Sequence, residues 1–426
     1  MPPNLWISGI LASITQKNDV TAETEYVNPM NRKTTARMDI AWLRAFTFTI
    51  YGTSVLVSSY FPLFYAQLGF STSQIGLLYA LGPMISVVSN LLWSLASDRY
   101  QTIKKVLLIL LIGQIALTFL LSASTSFSLI MAVITLFYFF FYPVFPLSDT
   151  ISITTAKQHG IHFISIRLFG SFGYAFFALL IGYVLARIGS SNTMWVSIAI
   201  AGLALGFILF VKDQPTTVAK MDLSGIWGIL RQKELLWFFG CVFCLAIGMR
   251  MNEAFISISL KELGANENLI GWAMLASSLS EIPVFIYLSF HGEKYKELPL
   301  LLLASLLFAV RFLLMGLTGS PYGILAIQAM HGVTFGIFYV TAIRMLTRLI
   351  PDEFRATGMA LYTIVWSSLA GLLSGTFGGV MFEQFGRQPF YLTAMGAALV
   401  ACVGFASRYF QKGPGENTPS KFEHKA

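Results

Sequence analysis

Charged residues are scarce in this chain. Asp, Glu, Lys and Arg make up 11% of its 426 residues, whereas hydrophobic residues make up 56%. The mean hydropathy of +0.70 describes a chain that cannot enclose its apolar surface in a water-soluble core. The composition therefore predicts an integral membrane protein.

Short segments of alternating hydrophobicity are also missing, which excludes a transmembrane β-barrel. The chain instead contains twelve apolar stretches of the roughly 20 residues that a helix needs to cross the hydrocarbon core. Backbone groups in lipid must be paired within their own segment, so these stretches are expected to be helices. They cover residues 40–66, 74–96, 104–123, 127–152, 165–186, 194–211, 234–260, 269–290, 298–317, 322–348, 356–382 and 388–410.

Motifs for covalent chemistry are few. Of three cysteines, Cys241 and Cys244 form a CxxC pair inside the apolar run FFGCVFCLAIG, where core packing is a better interpretation than a metal or redox site. No Walker motif is present, and no nucleophile, base and orienting group fall at one membrane depth. We expect no metal, no cofactor and no enzymatic activity.

Basic residues set the expected orientation. If the N-terminus is cytoplasmic, only Arg187, Lys261 and Arg387 among the 28 Lys and Arg residues fall in outside loops. We therefore expect a multi-pass protein of the cell membrane with both termini in the cytoplasm. The net charge of +8 is then a consequence of topology, and no nucleic-acid partner is expected.

The sequence repeats itself weakly at an offset of 195 residues, which places the second apolar stretch on the eighth. This repeat predicts two six-helix halves, and it divides the chain into five parts. These are a polar N-terminal tail expected to be disordered (1–37), a first half (38–211), a cytoplasmic linker (212–233), a second half (234–410) and a C-terminal tail (411–426).

The loop SLASDRYQTIKK, residues 94–105, resembles the loop between spans 2 and 3 of the major facilitator superfamily, although Ser94 replaces the usual glycine. Twelve spans in two halves fit the same resemblance, which implies an all-α membrane protein with the major facilitator fold. It also implies a cytoplasmic gate made of this loop and its repeat, containing Asp98, Arg99, Glu293 and Lys294. Ordinary loop charges that set topology are the alternative.

A charge inside a span is costly unless it faces a partner or water, so each such residue is a candidate for function. Asp149 follows the kinked run YPVFPLSD in span 4, and Arg167 lies in the first turns of span 5. Neighbouring antiparallel spans can bring these two side chains together. Tyr174, seven residues after Arg167, is predicted to lie on the same face as an aromatic platform.

The motif RLFGSFGYA in span 5 is similar to that of lactose permease and its relatives, a group of proton symporters for oligosaccharides, nucleosides and phenylpropionate. The resemblance implies that Asp149, Arg167 and Tyr174 serve as the acid, base and stacking ring of a substrate site. The runs PLSDTISI and AMHGVTFGIFYVTAIRML look most like the phenylpropionate permease branch. The alternative is that Asp149 and Arg167 form a structural clamp that never touches substrate.

Three further ionisable residues fall at comparable depths on spans 8, 9 and 10. Glu281 lies roughly twelve residues, or about 18 Å, into span 8. With Arg311 and His331 it is similar to the proton-coupling cluster of lactose permease, except that Thr334 replaces a second carboxylate. Protonation would then fall to Glu281 alone or be shared with Glu253. His331 alone could equally be a packing residue.

One more charged pair lies on span 7. Arg250 and Glu253, one helical turn apart, are predicted either to contact substrate or only to neutralise each other.

These patterns predict a secondary transporter, monomeric in the membrane, that couples proton entry to uptake of a small organic solute. Aromatic carboxylates, nucleosides and glycosides all suit an arginine, an acid and a tyrosine. The alternatives are a proton-driven exporter of drugs or metabolites and a membrane receptor that transports nothing.

Overall fold

The computed structural model describes residues 29–214, 231–351 and 354–412. Within these ranges the chain forms helices, turns and bends, and no strand is found. It divides into two compact units, residues 1–41 and 42–426. All the charged site residues predicted above belong to the second unit.

Twelve helical segments in the described residues are long and apolar enough to cross a membrane, which confirms the predicted all-α membrane fold. Eight of these spans are unbroken helices. They are spans 2 (Thr72–Tyr100), 3 (Ile103–Ser122), 5 (Ile164–Ile188), 6 (Thr193–Phe210), 7 (Lys233–Glu262), 8 (Glu267–His291), 9 (Glu297–Leu317) and 12 (Arg387–Lys412).

The other four spans are interrupted within the membrane. Spans 1 and 11 each contain a π-helical segment, and spans 4 and 10 are each broken between two shorter helices. Span 1 comprises Pro29–Val55, Leu56–Tyr60 and Phe61–Gln67; span 4, Phe127–Phe141 and Val144–His159; span 10, Pro321–Gln328 and His331–Leu349; and span 11, Arg355–Thr363, Ile364–Leu369 and Ala370–Phe385. Such interruptions are tolerated where the freed backbone groups find partners or line a cavity.

The break in span 4 lies where the prolines predicted it. Pro143 cannot donate a hydrogen bond, and the two helices of the span meet at Tyr142 and Pro143. After the break the helix continues to His159, seven residues past the expected end at 152. The added residues are mostly polar, and hydropathy alone therefore placed the end too early.

Spans 2 and 11 pack together, as do spans 5 and 8. A Cβ atom on Gly76 would overlap the backbone of Gly375, and one on Gly271 would overlap the backbone of Ala178. Glycine permits this backbone contact because it has no side chain. Both contacts lie towards the end of the spans that carries the loop between spans 1 and 2, called here the first-loop end.

The predicted division into two six-helix halves stays a prediction. The predicted N-terminal and C-terminal tails and the predicted linker lie largely outside the described residues.

Candidate functional site

A cavity of about 500 Å³ lies among spans 1, 2, 4, 5, 7, 8, 9 and 10. This volume falls in the range of small-molecule binding pockets. Most of the predicted site residues share its wall: Arg167, Tyr174, Arg250, Glu253, Glu281, Arg311 and His331. The structure therefore brings together side chains from five different spans.

The four interrupted spans all place their interruptions at or beside this cavity. The π-helical segment of span 1 supplies Ser58 and Ser59, and the break in span 4 supplies Tyr142. The break in span 10 lies between Gln328 and His331, both of which line the wall. Irregular backbone thus supplies part of the polar lining, and unbroken helices supply the rest.

Asp149 and Arg167 form the ion pair that the sequence predicted. The Arg167 Nε atom lies 3.4 Å from Asp149 Oδ1, and the two side chains are 36% and 37% exposed. Arg167 also lines the cavity, so its guanidinium can reach both a bound solute and its carboxylate partner.

The aromatic platform of Arg167 is not the expected one. The guanidinium carbon lies 4.5 Å from the ring centre of Tyr51 in span 1, within cation–π range. Tyr174 lines the same cavity, but its ring is not the one that lies against the Arg167 guanidinium. No sequence signal pointed to Tyr51, because its contact with Arg167 depends on how span 1 packs against span 5.

Glu281, His331 and Arg311 form a continuous chain of hydrogen bonds. His331 Nε2 lies 2.9 Å from Glu281 Oε1, and Arg311 Nη1 donates to His331 Nδ1 over 2.9 Å. Arg311 Nη2 donates to Gln328 Oε1 over 2.6 Å. The Arg311 side chain is fully buried, whereas that of Glu281 is 25% exposed.

This chain fixes the protonation of the imidazole. A guanidinium can only donate, so Nδ1 of His331 must be the unprotonated nitrogen. The single ring proton is then on Nε2, which donates it to the Glu281 carboxylate. His331 is therefore neutral in this arrangement, and Glu281 is the member of the chain that can take up a proton.

Glycine at position 332 allows spans 8 and 10 to meet beside this chain. A Cβ atom there would overlap the backbone of Ser280 and Glu281, and the Gly332 N–H donates to the Ser280 hydroxyl over 2.8 Å. Glu281 is thereby held next to His331. Thr334 stands where lactose permease and its relatives have a second carboxylate. Its hydroxyl donates a hydrogen bond to the His331 carbonyl and offers no second site for a proton.

Arg250 and Glu253 pair directly, with 2.6 Å between Nη1 and Oε2. The Nε–H of Arg250 donates to the Trp366 carbonyl, which lies in the π-helical segment of span 11. Both charged side chains line the cavity. They neutralise each other and remain within reach of a bound solute.

The two amide side chains of the wall were not predicted from the sequence. Gln328 is 2% exposed and binds Arg311, and its position three residues before His331 in an apolar span was an available signal. Asn252 is 3% exposed, and its amide oxygen has no partner among the described residues. The adjacent Glu253 could be identified because a charge inside a span is costly, whereas a neutral amide gives no comparable signal.

The predicted gate residues lie far from this cavity along their spans. Asp98 and Arg99 occupy the last turn of span 2, and within the described part of the chain neither they nor Lys294 forms an ion pair. The side chain of Glu293 lies outside the described residues. The gate stays a prediction.

Sequence comparison relates the chain to transporters. The profile described as "MFS_1 like family" matches residues 40–393. The chain is 27% identical over 341 residues to "Putative nucleoside transporter YegT" of Escherichia coli (strain K12), an alignment that covers 76% of this chain and 79% of that protein. It is 23% identical to "Probable 3-phenylpropionic acid transporter" of the same organism, with coverage of 83% and 94%.

Among solved structures, that of the nucleoside transporter NupG superposes with a TM-score of 0.78. The superposition covers 87% of this chain and 98% of NupG, at 16% sequence identity. At this identity the likeness establishes a shared fold.

Proposed function

We propose a transport cycle for this chain, which belongs to the MFS_1 like family and is a secondary transporter of the major facilitator superfamily. In this cycle the chain takes up a small organic solute together with a proton. The observation that carries the proposal is the hydrogen-bonded chain from Glu281 through His331 to Arg311 in the cavity wall. This chain places a carboxylate that can be protonated, that of Glu281, next to the space that a solute would fill.

Glu281 is the proposed proton site. Its carboxylate is partly exposed to the cavity and accepts a hydrogen bond from neutral His331. A proton that reaches Glu281 removes this charge and changes the hydrogen bonding beside the solute. The energies of proton and solute binding are thereby linked.

Arg167, Tyr51 and Tyr174 line the cavity and form the proposed solute contacts, with Asp149 paired to Arg167 beside them. The two halves of the chain then rock about the cavity and expose it to each side in turn. One charge moving through 100 mV supplies about 2.3 kcal/mol, enough for useful accumulation.

We propose that the protein works as a monomer in the cell membrane with both termini in the cytoplasm. In that orientation the first-loop end faces outward. The backbone contacts of Gly76 and Gly271 close spans 2, 5, 8 and 11 against each other at that end, which suits an inward-facing state.

Uptake by purified protein in liposomes tests the proposal. Uridine, maltose and 3-phenylpropionate are offered with and without an inward proton gradient, and protein-free liposomes serve as the control. We expect the gradient to drive accumulation of at least one compound. Accumulation driven by an outward gradient would indicate an exporter instead, and binding without any flux would indicate a receptor.

A further inference from the structure

We infer that the cavity takes a neutral, hydroxyl-bearing ring compound in preference to an anion. The inference rests on the proposed function, since it assumes that the cavity is the transport site. Of the three candidate substrate classes, it excludes aromatic carboxylates and keeps the two uncharged classes, nucleosides and glycosides.

The charges of the cavity balance within the protein. Each of its three guanidinium groups is already committed to other protein groups. Arg167 pairs with Asp149, Arg250 pairs with Glu253, and Arg311 is linked through His331 to Glu281. An anionic solute would therefore find no cation in the wall without a partner.

Arg311 cannot become that cation when Glu281 is protonated. Its side chain is fully buried, and its two terminal nitrogens donate to His331 and Gln328. Its remaining nitrogen, Nε, is buried as well. A carboxylate solute would therefore have to compete with Asp149 or Glu253 for its arginine.

Uncharged polar groups, in contrast, are available. The amide of Asn252 is almost completely buried in the wall and has no described partner for its oxygen. Hydroxyl groups surround the same space, including those of Tyr142, Ser171 and Ser278. Hydroxyls and amide edges of a neutral solute can pair with these groups at no cost in charge separation.

Aromatic rings complete the match to a ring compound. In the lining of the cavity, Tyr51 and Phe145 meet edge to face at 5.4 Å, and Phe335 stacks on His331 at 5.3 Å. A nucleobase can stack on such rings, and a sugar ring can pack its apolar face on them. Both sources share the chemistry of a neutral ring with hydroxyl groups.

The number of charges moved per cycle tests the inference directly. A proton entering with a neutral solute carries one positive charge across the membrane, whereas a proton entering with a monovalent anion carries none. Proteoliposomes adsorbed on a solid-supported membrane are therefore exposed to uridine, maltose or 3-phenylpropionate, and the transient current is recorded beside radiolabel uptake.

We expect inward positive current with uridine or maltose, and the responding compound identifies the source. Current-free uptake of 3-phenylpropionate would overturn the inference and leave the proposed function intact. Absence of proton-driven uptake for every compound would instead contradict the proposed function. In that case the affinities of the three compounds for the purified protein, measured without a gradient, test the inference. It fails if 3-phenylpropionate binds at least as tightly as both uridine and maltose, or if none of the three binds.

Two variants test the charge balance itself. Asp149→Asn and Glu253→Gln each release one guanidinium, so 3-phenylpropionate should bind about tenfold more tightly than to the unmodified protein. Glu234→Gln is the matched control, because Glu234 lies on the same helix as Glu253 but pairs with Arg408 at the far end. Unchanged anion binding in both variants would overturn the inference. If one variant proves unstable, unchanged binding in the other is sufficient to overturn it.

Discussion

Two of the three charged groups at the cavity, called here the exposed wall and the buried wall, are built differently. On spans 4 and 5, Asp149 and Arg167 are each more than a third exposed and 3.4 Å apart, and the guanidinium lies over Tyr51. On spans 8, 9 and 10, Arg311 is fully buried and His331 nearly so, and three hydrogen bonds link Glu281 to Gln328. Both walls contain an acid and an arginine, but only the first arginine is accessible to a solute.

This difference separates two tasks. A partly exposed pair is accessible to water, so its arginine can exchange bound water for hydroxyl groups of a solute while the pair is kept. A buried chain of hydrogen bonds is costly to disturb, and a proton is a ligand small enough to alter it. The first wall is therefore suited to recognition and the second to coupling.

The largest effect is expected at Glu281. Glu281→Gln holds the position permanently uncharged, as if protonated, so accumulation against a gradient should be lost completely. Exchange of solute across membranes at equal pH should persist, because the cavity is kept. Labelled counterflow and pH-driven uptake, measured in parallel with Glu234→Gln as control, check both parts. Full accumulation by the glutamine variant would remove Glu281 from coupling.

Arg167 should show the next largest effect. Lysine supplies a point charge without the planar fork, so Arg167→Lys should weaken solute binding at least about tenfold, the equivalent of one charge-assisted hydrogen bond. Protection of a nearby engineered cysteine from alkylation measures the affinity. Insertion and folding should be unchanged, as judged by size-exclusion chromatography in detergent.

A charge exchange distinguishes recognition from a structural clamp. Combining Asp149→Arg with Arg167→Asp keeps the attraction between spans 4 and 5 but moves the cation off span 5. Binding should stay lost in the double variant if Arg167 touches the solute. Near-normal affinity would show that the pair is a clamp, and the two walls would then not differ in the way described.

Gly332 offers a way to disturb the buried wall without changing a charge. Gly332→Ala introduces a Cβ atom against the backbone of Ser280 and should cost about 1–3 kcal/mol through overpacking. Separation of spans 8 and 10 should lower both the melting temperature and pH-driven uptake. Gly396→Ala is the matched control, because nothing lies within 4 Å of a Cβ atom there. Equal melting temperatures for the two variants would contradict the close contact.

The smallest effect concerns the platform of the exposed wall. Tyr51→Leu removes a cation–π contact of about 0.5–1 kcal/mol, so solute affinity should fall about two- to fivefold. Tyr51→Phe keeps the ring and should bind almost normally. The reverse order, with phenylalanine weaker than leucine, would mean that the hydroxyl matters and the stacking does not.

The sequence alone was sufficient to predict the features that depend only on the residues of a single segment. A bilayer requires every span to be apolar and helical over about 20 residues, so twelve spans could be counted from hydropathy. Charges inside those spans are rare and costly, so Arg167, Glu281, Arg311 and His331 could be identified as candidates one at a time. Pro143 marked the break in span 4 because proline lacks a backbone donor.

Only the tertiary structure decided which of these side chains meet. Tyr51 rather than Tyr174 lies under Arg167, and Gln328 holds the far side of Arg311. Neither contact has a local signature, because each depends on the angle and depth at which separate helices pack. The same holds for the tautomer of His331. It is fixed by a guanidinium that approaches from another span, and no pattern within span 10 could specify that approach.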